Sequence, residues 1–243
     1  MNIRLTIQYD GTDFCGSQFQ PGFRTVQSEL ESSLNVLFGY KVSTIFSGRT
    51  DSGVHAKEQT VNFFLHDDYP VPPDKIIHPL NKLLPPDILT VSSEKAPEDF
   101  HARFSAKKRT YRYFIRRTPD LFRERYSLLF PREISIDHLN SFTDIFKSKQ
   151  DFSSLCSSRS DTENRICEIF ELLFFSHGDE TIMEITADRF LHNMVRIIVS
   201  VFLEISGGKL CKNDVTEMLL SKDRKVMPKT ISPKGLFLWR VTY

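Results

Sequence analysis

The first residues of the chain alternate strictly between polar and apolar side chains. Ile3, Leu5, Ile7 and Tyr9 are apolar, and a polar residue precedes each of them. Successive side chains of a β-strand point to opposite faces, so this pattern predicts a strand over residues 2–9 with one buried face. Similar runs predict further strands over residues 42–46, 60–65, 88–92, 110–116, 166–175, 181–186 and 236–243.

Helices are predicted where apolar residues recur every three or four positions. Thr25 can cap a helix over residues 26–38, and Asp74 can cap another over residues 76–83. The same spacing predicts helices over residues 137–146 and 213–220. The most apolar run, residues 190–205, is too short and too often interrupted by polar side chains for a membrane span, so it predicts a buried helix.

The predicted strands and helices are interspersed, and their order roughly recurs in the second part of the chain. This arrangement predicts an α+β fold with two similar halves, an N-terminal domain at residues 1–106 and a C-terminal domain at residues 107–243. Mostly antiparallel mixed sheets merged at their edges, with helices on the opposite face, would leave a central cleft between the halves.

The composition is that of a globular protein with balanced charge. The chain has 243 residues, of which 40% are hydrophobic, and a formal net charge of +1. Because the first residues enter a strand pattern at once, without an apolar signal region, we expect a cytoplasmic protein. The cysteines form no CxxC pair and have no histidine cluster nearby, which favours free thiols over a zinc site or disulfides.

Basic residues are concentrated between residues 103 and 132. This stretch holds ten lysines and arginines but only two acidic residues. Tyr111, Tyr113 and Phe114 lie among them, and this combination suits the phosphate backbone and unpaired bases of RNA. A solvated strand face can have the same composition, so the charges alone leave both interpretations open.

One segment combines glycines, an arginine and a carboxylate without any periodic pattern. It covers residues 46–56 and places Asp51 between Gly48 and Gly53. Glycines let the backbone turn sharply and let a ligand approach closely, and Arg49 can keep the carboxylate ionised. Asp51 is therefore a candidate nucleophile, although the same residue types also form ordinary turns between strands.

The order of residues 48–55, Gly-Arg-Thr-Asp-Ser-Gly-Val-His, resembles the signature loop of the tRNA pseudouridine synthase A family, which carries the catalytic aspartate. Four further segments resemble the same family in the same order: residues 9–14, 100–113, 190–196 and 235–238. Together they span nearly the whole chain. The resemblance implies the pseudouridine synthase fold and an isomerase that acts on tRNA.

The resemblance also implies the substrate and the assembly. The family's targets are uridines at tRNA positions 38, 39 and 40, in the anticodon stem and loop, with the base flipped into a cleft. The enzymes of the family are homodimers, and we expect tRNA as the partner and no membrane association. Because the isomerisation is redox-neutral and a carboxylate suffices for it, we expect neither a cofactor nor a metal.

Further roles follow from the matching residues. Arg196 and Arg49 are the expected charge partners of Asp51, and a guanidinium within the apolar helix needs such a partner unless it reaches solvent. Tyr111 is expected to lie against the target base and Leu236 to line the base pocket, although either side chain alone would also suit a protein core.

Other matching residues are predicted to contact RNA rather than to transfer protons. These are His55, His101, Arg103, Arg109 and Arg112, with Arg24, Lys107 and Lys108 as further candidates for phosphate contacts. The chain departs from the family at Ser17, where tryptophan is usual, and at Glu58 and Ser200, where glycine is usual. We expect these departures to concern RNA affinity and substrate preference more than catalysis.

Two other classes of function compete with this interpretation. A protein that binds RNA without modifying it needs the basic segment but not Asp51, and the intact Arg-Thr-Asp triplet argues against it. A hydrolase with Cys156 as its nucleophile is the second rival. It is disfavoured because no histidine lies nearby in sequence to activate the thiol.

Overall fold

A computed structural model of the chain describes residues 1–66, 72–157 and 163–243. These residues form two units, Met1–Lys107 together with Phe237–Tyr243, and Lys108–Leu236. Each unit combines a sheet with helices, so the predicted α+β fold is confirmed.

Strand β1 is an interior strand of the sheet in the first unit. The strands of this unit are β1 (Asn2–Tyr9), β2 (Ile45–Phe46), β3 (His55–Phe64), β4 (Ile88–Lys95) and β10 (Leu236–Thr242). β1 lies between β4 and β3 and is antiparallel to both. β3 also pairs with β2 in antiparallel orientation and with β10 in parallel orientation. The sheet of this unit is therefore mixed.

One face of this sheet forms the core of the first unit. The register places Leu5 beside Val61, and both side chains are fully buried. Helix α1 (Val26–Phe38) packs on the same face, because the ring centroid of Phe38 lies 5.9 Å from that of Phe63. The apolar residues predicted to form one face of the strand at residues 2–9 are therefore the ones that the core buries.

Both ends of α1 are capped. The Thr25 hydroxyl accepts a hydrogen bond from the backbone N–H of Ser28, and Gly39 ends the helix with a φ of 76°. Glycine reaches this left-handed conformation without the steric cost that a side chain would add. The predicted helix and its cap at Thr25 are confirmed.

The cap predicted at Asp74 is wrong. A 3-10 turn at Pro73–Ile76 precedes helix α2 (Ile77–Leu83), and Asp74 lies inside that turn. Proline is favoured in the first turn of a helix because its missing N–H would be unsatisfied there anyway. Pro73 therefore starts the helical segment one residue earlier than the predicted cap.

The second unit contains strands β5 (Lys108–Arg116), β6 (Leu128–Leu129), β7 (Lys149–Asp151), β8 (Ile166–His177) and β9 (Glu180–Ala187), and helices α3 (Ile136–Asn140), α4 (Met194–Ser206) and α5 (Lys212–Leu220). Its sheet has the antiparallel order β5-β9-β8-β7, and β6 adds to β5 in parallel orientation. α4 is the buried helix predicted from the apolar run, and its Phe202 contacts Phe146 and Phe174. Within the described ranges, no helix is long and apolar enough to cross a bilayer.

Two predicted elements of the second unit are shorter than expected. The helix predicted at residues 137–146 ends at Asn140 and is followed by a separate 3-10 turn at Thr143–Ile145. The Asn140 side chain exchanges two hydrogen bonds with the backbone of Phe174 in β8. The buried helix begins at Met194 rather than at residue 190, because Asn193 has a left-handed φ of 64° that interrupts the helical backbone.

Two differences concern the first unit. The strand predicted at residues 42–46 is reduced to β2, because the backbone N–H groups of Val42 and Thr44 donate to side chains of α1. The closing strand was expected in a C-terminal domain at residues 107–243. Instead, Phe237–Tyr243 belongs to the first unit, because β10 pairs with β3.

Candidate active site

Asp51 lies on the loop that connects β2 to β3. The Asp51 carbonyl accepts a hydrogen bond from the N–H of Val54 at 3.1 Å, and Gly53 completes this turn with a φ of 76°. The Ser52 hydroxyl donates to the carbonyl of Phe14 at 3.0 Å. These bonds fix the backbone around Asp51, whose half-buried side chain is the only carboxylate on the loop.

A buried polar network supports the residue before Asp51. The Thr50 N–H donates to the Ser17 hydroxyl at 2.8 Å, and the Ser17 N–H donates to the Thr50 carbonyl at 3.0 Å. The hydroxyls of Tyr9 and Thr50 share a further hydrogen bond of 2.8 Å. Burial raises the pKa of Tyr9 to about 12, so its phenol keeps its proton at neutral pH and can stay in this network.

A glutamine in β3 fixes the start of the same loop. The Gln59 amide accepts a hydrogen bond from the Ser47 hydroxyl and donates to the carbonyl of Gly48 at 2.9 Å. The Ser47 N–H also donates to the carbonyl of Thr60 at 2.8 Å. The loop is therefore held at both ends by buried groups of β1, β3 and the segment around Ser17.

We expect Ser17→Ala to lower the free energy of unfolding by about 1–3 kcal/mol, since it leaves the buried N–H of Thr50 without its acceptor. Urea denaturation measures this change. Ser93→Ala is the matched control, because Ser93 is also buried but its hydroxyl has no hydrogen-bond partner among the described residues. Equal stability of Ser17→Ala and the wild type would contradict this prediction.

His55 packs beneath the loop and is only 1% exposed. Its Nδ1 accepts a hydrogen bond from the N–H of Gly11 at 3.0 Å, which places the proton of the neutral ring on Nε2. Oδ1 of Asp10 lies 3.1 Å from the same Nδ1, so a protonated ring could pair with this carboxylate instead. The ring also stacks on Phe237 with a centroid distance of 4.5 Å. His55 thus has a structural role, and its contact with RNA stays a prediction.

The other candidates of the first unit lie on exposed turns. Arg49 is exposed two residues before Asp51. His101 is half-buried and Arg103 is exposed, in a turn that precedes β5. Arg24 differs from them, because its guanidinium makes two hydrogen bonds to Asp87, at 2.7 and 2.9 Å. That ion pair competes with the phosphate contact predicted for Arg24.

Arg196 lies in the first turn of α4 in the second unit. Its Nη1 donates to Oδ1 of Asn193 at 2.7 Å, and its Nε donates to the carbonyl of Ile231 at 2.8 Å. The side chain is half-buried and its orientation is fixed by these bonds. Ser200, one turn further along, donates to the carbonyl of Lys229 at 2.7 Å. The pairing of Arg196 with a carboxylate stays a prediction.

The two tyrosines of β5 have different surroundings. The Tyr111 ring is buried edge-on against Phe190, with a centroid distance of 5.1 Å. Tyr113 is fully buried and donates to the carbonyl of Ser232 at 2.8 Å, and its burial raises the pKa of the phenol. The alternative of a core aromatic therefore applies to Tyr113. The contact of Tyr111 with a base stays a prediction.

Leu236 follows a glycine that the fold requires. A Cβ at Gly235 would lie 2.7 Å from the carbonyl oxygen of Phe114 and 2.9 Å from the Tyr113 ring. This close approach holds the buried side chain of Leu236 at the start of β10. Its predicted place in a base pocket is untested.

Several basic side chains of residues 103–132 already have partners within the second unit. Arg109 donates to the carbonyl of Asp188 at 2.8 Å, and Arg112 pairs with Glu184. Arg116 is 1% exposed and pairs with Glu124, so it belongs to the interior rather than to a basic surface. The excess of basic residues in the sequence thus overstates the positive charge available to a ligand.

The departures from the family pattern are accommodated locally. Ser17 belongs to the network around Thr50, and Ser200 bonds to the 229 carbonyl. Burial raises the pKa of the Glu58 carboxyl, and the positive charge of Arg240 opposes that shift. The role of Ser17 was missed from the sequence, because it depends on a contact between residues far apart in the chain.

The surroundings of the cysteines bear on the hydrolase rival. All four are free thiols, as predicted. Cys156 and Cys167 are fully buried, and burial raises the pKa of Cys167 to about 12. A cysteine nucleophile must be accessible and readily deprotonated. The burial of Cys156 therefore argues against the hydrolase rival.

Comparison with known proteins identifies the family. A sequence model described as tRNA pseudouridine synthase matches residues 5–105 and 146–243, which include the loop of Asp51 and the helix of Arg196. The tRNA pseudouridine synthase A of Bacillus subtilis (strain 168) is 40% identical over 249 residues, which cover 100% of this chain and 99% of that protein. The chain belongs to the tRNA pseudouridine synthase A family.

Two further members of the family are similar over their whole length. The synthase A of Bacillus licheniformis is 39% identical and covers 100% of this chain and 99% of its own length. That of Exiguobacterium sp. is 38% identical over 241 residues, with coverage of 99% and 97%. The family and enzyme class predicted from the five motifs are therefore confirmed.

Proposed function

We propose that this chain converts uridine to pseudouridine at positions 38, 39 and 40 of the tRNA anticodon stem and loop, with the Asp51 carboxylate as nucleophile. Family membership supports isomerisation of tRNA uridine. The observation that carries the assignment to Asp51 is its loop. Hydrogen bonds with Val54, Ser17 and Tyr9 fix residues 50 and 51, and Asp51 is the single carboxylate there.

The reaction breaks the bond between C1′ and N1 of the nucleoside and forms one between C1′ and C5. The C5 proton is released and N1 gains a proton, so atoms and electrons balance without a co-reactant. A carboxylate held against the nucleoside can attack C1′, attack the base, or take the proton from C2′. Each of these routes needs a carboxylate in a fixed position, and the hydrogen bonds of the loop fix the backbone that carries the Asp51 side chain.

The remaining site residues take supporting roles in this proposal. Arg196 and Arg49 keep the Asp51 carboxylate charged, because a nearby guanidinium offsets the cost of removing water. Tyr111 and Leu236 line the place of the flipped base. The RNA backbone is bound by Arg103, Arg109, Arg112, His55 and His101. A homodimer in the cytoplasm stays our prediction for the assembly and its location.

The test uses an unmodified tRNA transcript labelled with tritium at C5 of its uridines. Because the reaction releases the C5 proton, tritium appearing in water measures pseudouridine formation. We expect release by the wild-type chain in EDTA, and loss of release when positions 38, 39 and 40 are all cytidine. Binding of the transcript without release would favour the rival of a non-catalytic RNA-binding protein.

A further inference from the structure

We propose that the exposed ring of Phe104 is a stacking platform for an unpaired base of the RNA. Phe104 is 76% exposed, although it lies in a hydrogen-bonded turn between β4 and β5. Aromatic side chains on basic surfaces bind single-stranded nucleic acid by stacking on its bases. The inference takes RNA as the ligand from the proposed function and adds a contact residue to it.

The turn that presents Phe104 is fixed by its own hydrogen bonds. Nδ1 of His101 accepts hydrogen bonds from the N–H groups of Arg103 and Phe104, at 3.2 and 3.3 Å. The Ser105 N–H donates to the carbonyl of His101 at 2.9 Å, and the Ser105 hydroxyl accepts from the N–H of His101. The backbone under the Phe104 ring is therefore fixed before any ligand binds.

Contacts to the sheet of the first unit anchor the same turn. Ala102 is fully buried, its N–H donates to the Asn62 side chain at 2.9 Å, and its carbonyl accepts from the Tyr243 hydroxyl at 2.8 Å. Asn62 in turn donates to the side chain of Asn2. Phe104 follows two residues after Ala102, so its ring projects from a backbone that is anchored to the sheet. The fold itself therefore exposes the ring.

Two neighbours contact the Phe104 ring and leave most of it exposed. The His101 ring packs against it with a centroid distance of 4.3 Å and an interplanar angle of 33°. The Arg103 guanidinium lies 5.6 Å from the ring centroid. Both contacts favour this orientation of the ring, which reduces the rotamer entropy that is lost when a base stacks on it.

The charge around Phe104 favours a nucleic acid over an apolar protein partner. Arg103 and Lys107 lie before and after it in sequence and are both exposed, and no acidic residue occurs between residues 100 and 117. Cationic side chains next to an aromatic platform can contact the phosphates while a base stacks on the ring. Phe122, which is 88% exposed, differs, since Asp120 and Glu124 lie two residues to either side of it in sequence.

The test compares binding of an unmodified tRNA transcript by Phe104→Ala, Phe104→Trp and the wild type. We expect Phe104→Ala to weaken binding by about 5- to 150-fold, the range that corresponds to the loss of one stacked base. Phe104→Trp should restore affinity. Binding of oligouridine should also quench the tryptophan fluorescence of Phe104→Trp more than that of the wild type, whose single tryptophan is Trp239.

Controls separate stacking from other effects. Phe122→Ala removes an exposed aromatic ring of the same type, and we expect it to bind tRNA like the wild type. The salt dependence of binding should be unchanged in Phe104→Ala but shallower in Arg103→Gln, since only the latter removes a charge. Melting temperatures of all the variants should match that of the wild type.

Several outcomes would overturn the assignment. They are unchanged tRNA affinity of Phe104→Ala, an equal loss in Phe122→Ala, or a change in the sedimentation coefficient of Phe104→Ala without RNA, which would indicate a protein contact. Failure of this inference is distinguishable from failure of the proposed function. If the wild-type chain releases tritium and Phe104→Ala binds tRNA as tightly as the wild type, only the stacking role of Phe104 is rejected. If Phe104→Ala binds tRNA more weakly but the wild-type chain releases no tritium, only the catalytic proposal is rejected.

Discussion

Asp51→Asn is expected to abolish pseudouridine formation, with a rate lowered by on the order of 10³-fold or more, because every proposed route uses the Asp51 carboxylate as nucleophile or base. The amide has nearly the same size as the carboxylate but does not ionise. The hydrogen bond that shapes the turn uses the Asp51 backbone carbonyl, so the variant should fold normally and still bind tRNA.

Tritium release and tRNA binding, measured on the same preparation, check this expectation. Asp74→Asn is the matched control, since it removes one carboxylate charge from an exposed position in a 3-10 turn. It should leave both readouts unchanged. Release by Asp51→Asn within tenfold of the wild type would show that another group carries the chemistry.

Gly11→Ala is expected to be the most disruptive small substitution in the first unit. A Cβ at Gly11 would lie 2.0 Å from the carbonyl oxygen of Val54 and 2.5 Å from its carbonyl carbon. These are backbone atoms of the Asp51 loop, so the loop must move. The Gly11 N–H that donates to His55 would move with it. Overpacking of this kind costs about 1–3 kcal/mol and sometimes more.

Thermal unfolding and tritium release together measure the effect of Gly11→Ala. A loss of this size should lower the melting temperature by about 2–4 °C for each kcal/mol in a chain of this length. Tritium release should fall even below that temperature, because Asp51 is displaced with Val54. Gly207→Ala is the control, since a Cβ there meets its nearest atoms at an ordinary 3.5 Å. Wild-type stability of Gly11→Ala would contradict the expected clash.

Local patterns in the sequence were sufficient to predict the elements whose causes are local. Helix α1 is an example, because its cap at Thr25 and its own buried positions, such as Leu30 and Leu34, lie within a few residues of each other. The short β2 was not predictable in the same way. Its shortening depends on side chains of α1 that bind the backbone ahead of it, which a count of apolar residues does not register.

The candidate site shows the same limit. The loop of Asp51 was recognisable from glycines and a carboxylate within a few residues, and from its family motif. Its support was not, because Tyr9, Ser17 and Gln59 come from three separate segments and become neighbours only after folding. The charge excess of residues 103–132 misled in the opposite direction. Arg116 is buried against Glu124 of the same stretch, and Arg112 pairs with Glu184, which lies far along the chain, so a count of charges registers neither.

The position of β10 has a consequence for how the protein is made. β10 pairs with β3 but follows the entire second unit in the sequence, so β3 leaves the ribosome long before its parallel neighbour exists. At a synthesis rate of about 5–20 residues per second, β10 is made on the order of ten seconds or more after β3. Throughout that interval the edge of β3 at His55 and Ala56 lacks its parallel neighbour, and an unpaired strand edge is a surface that can pair with other chains.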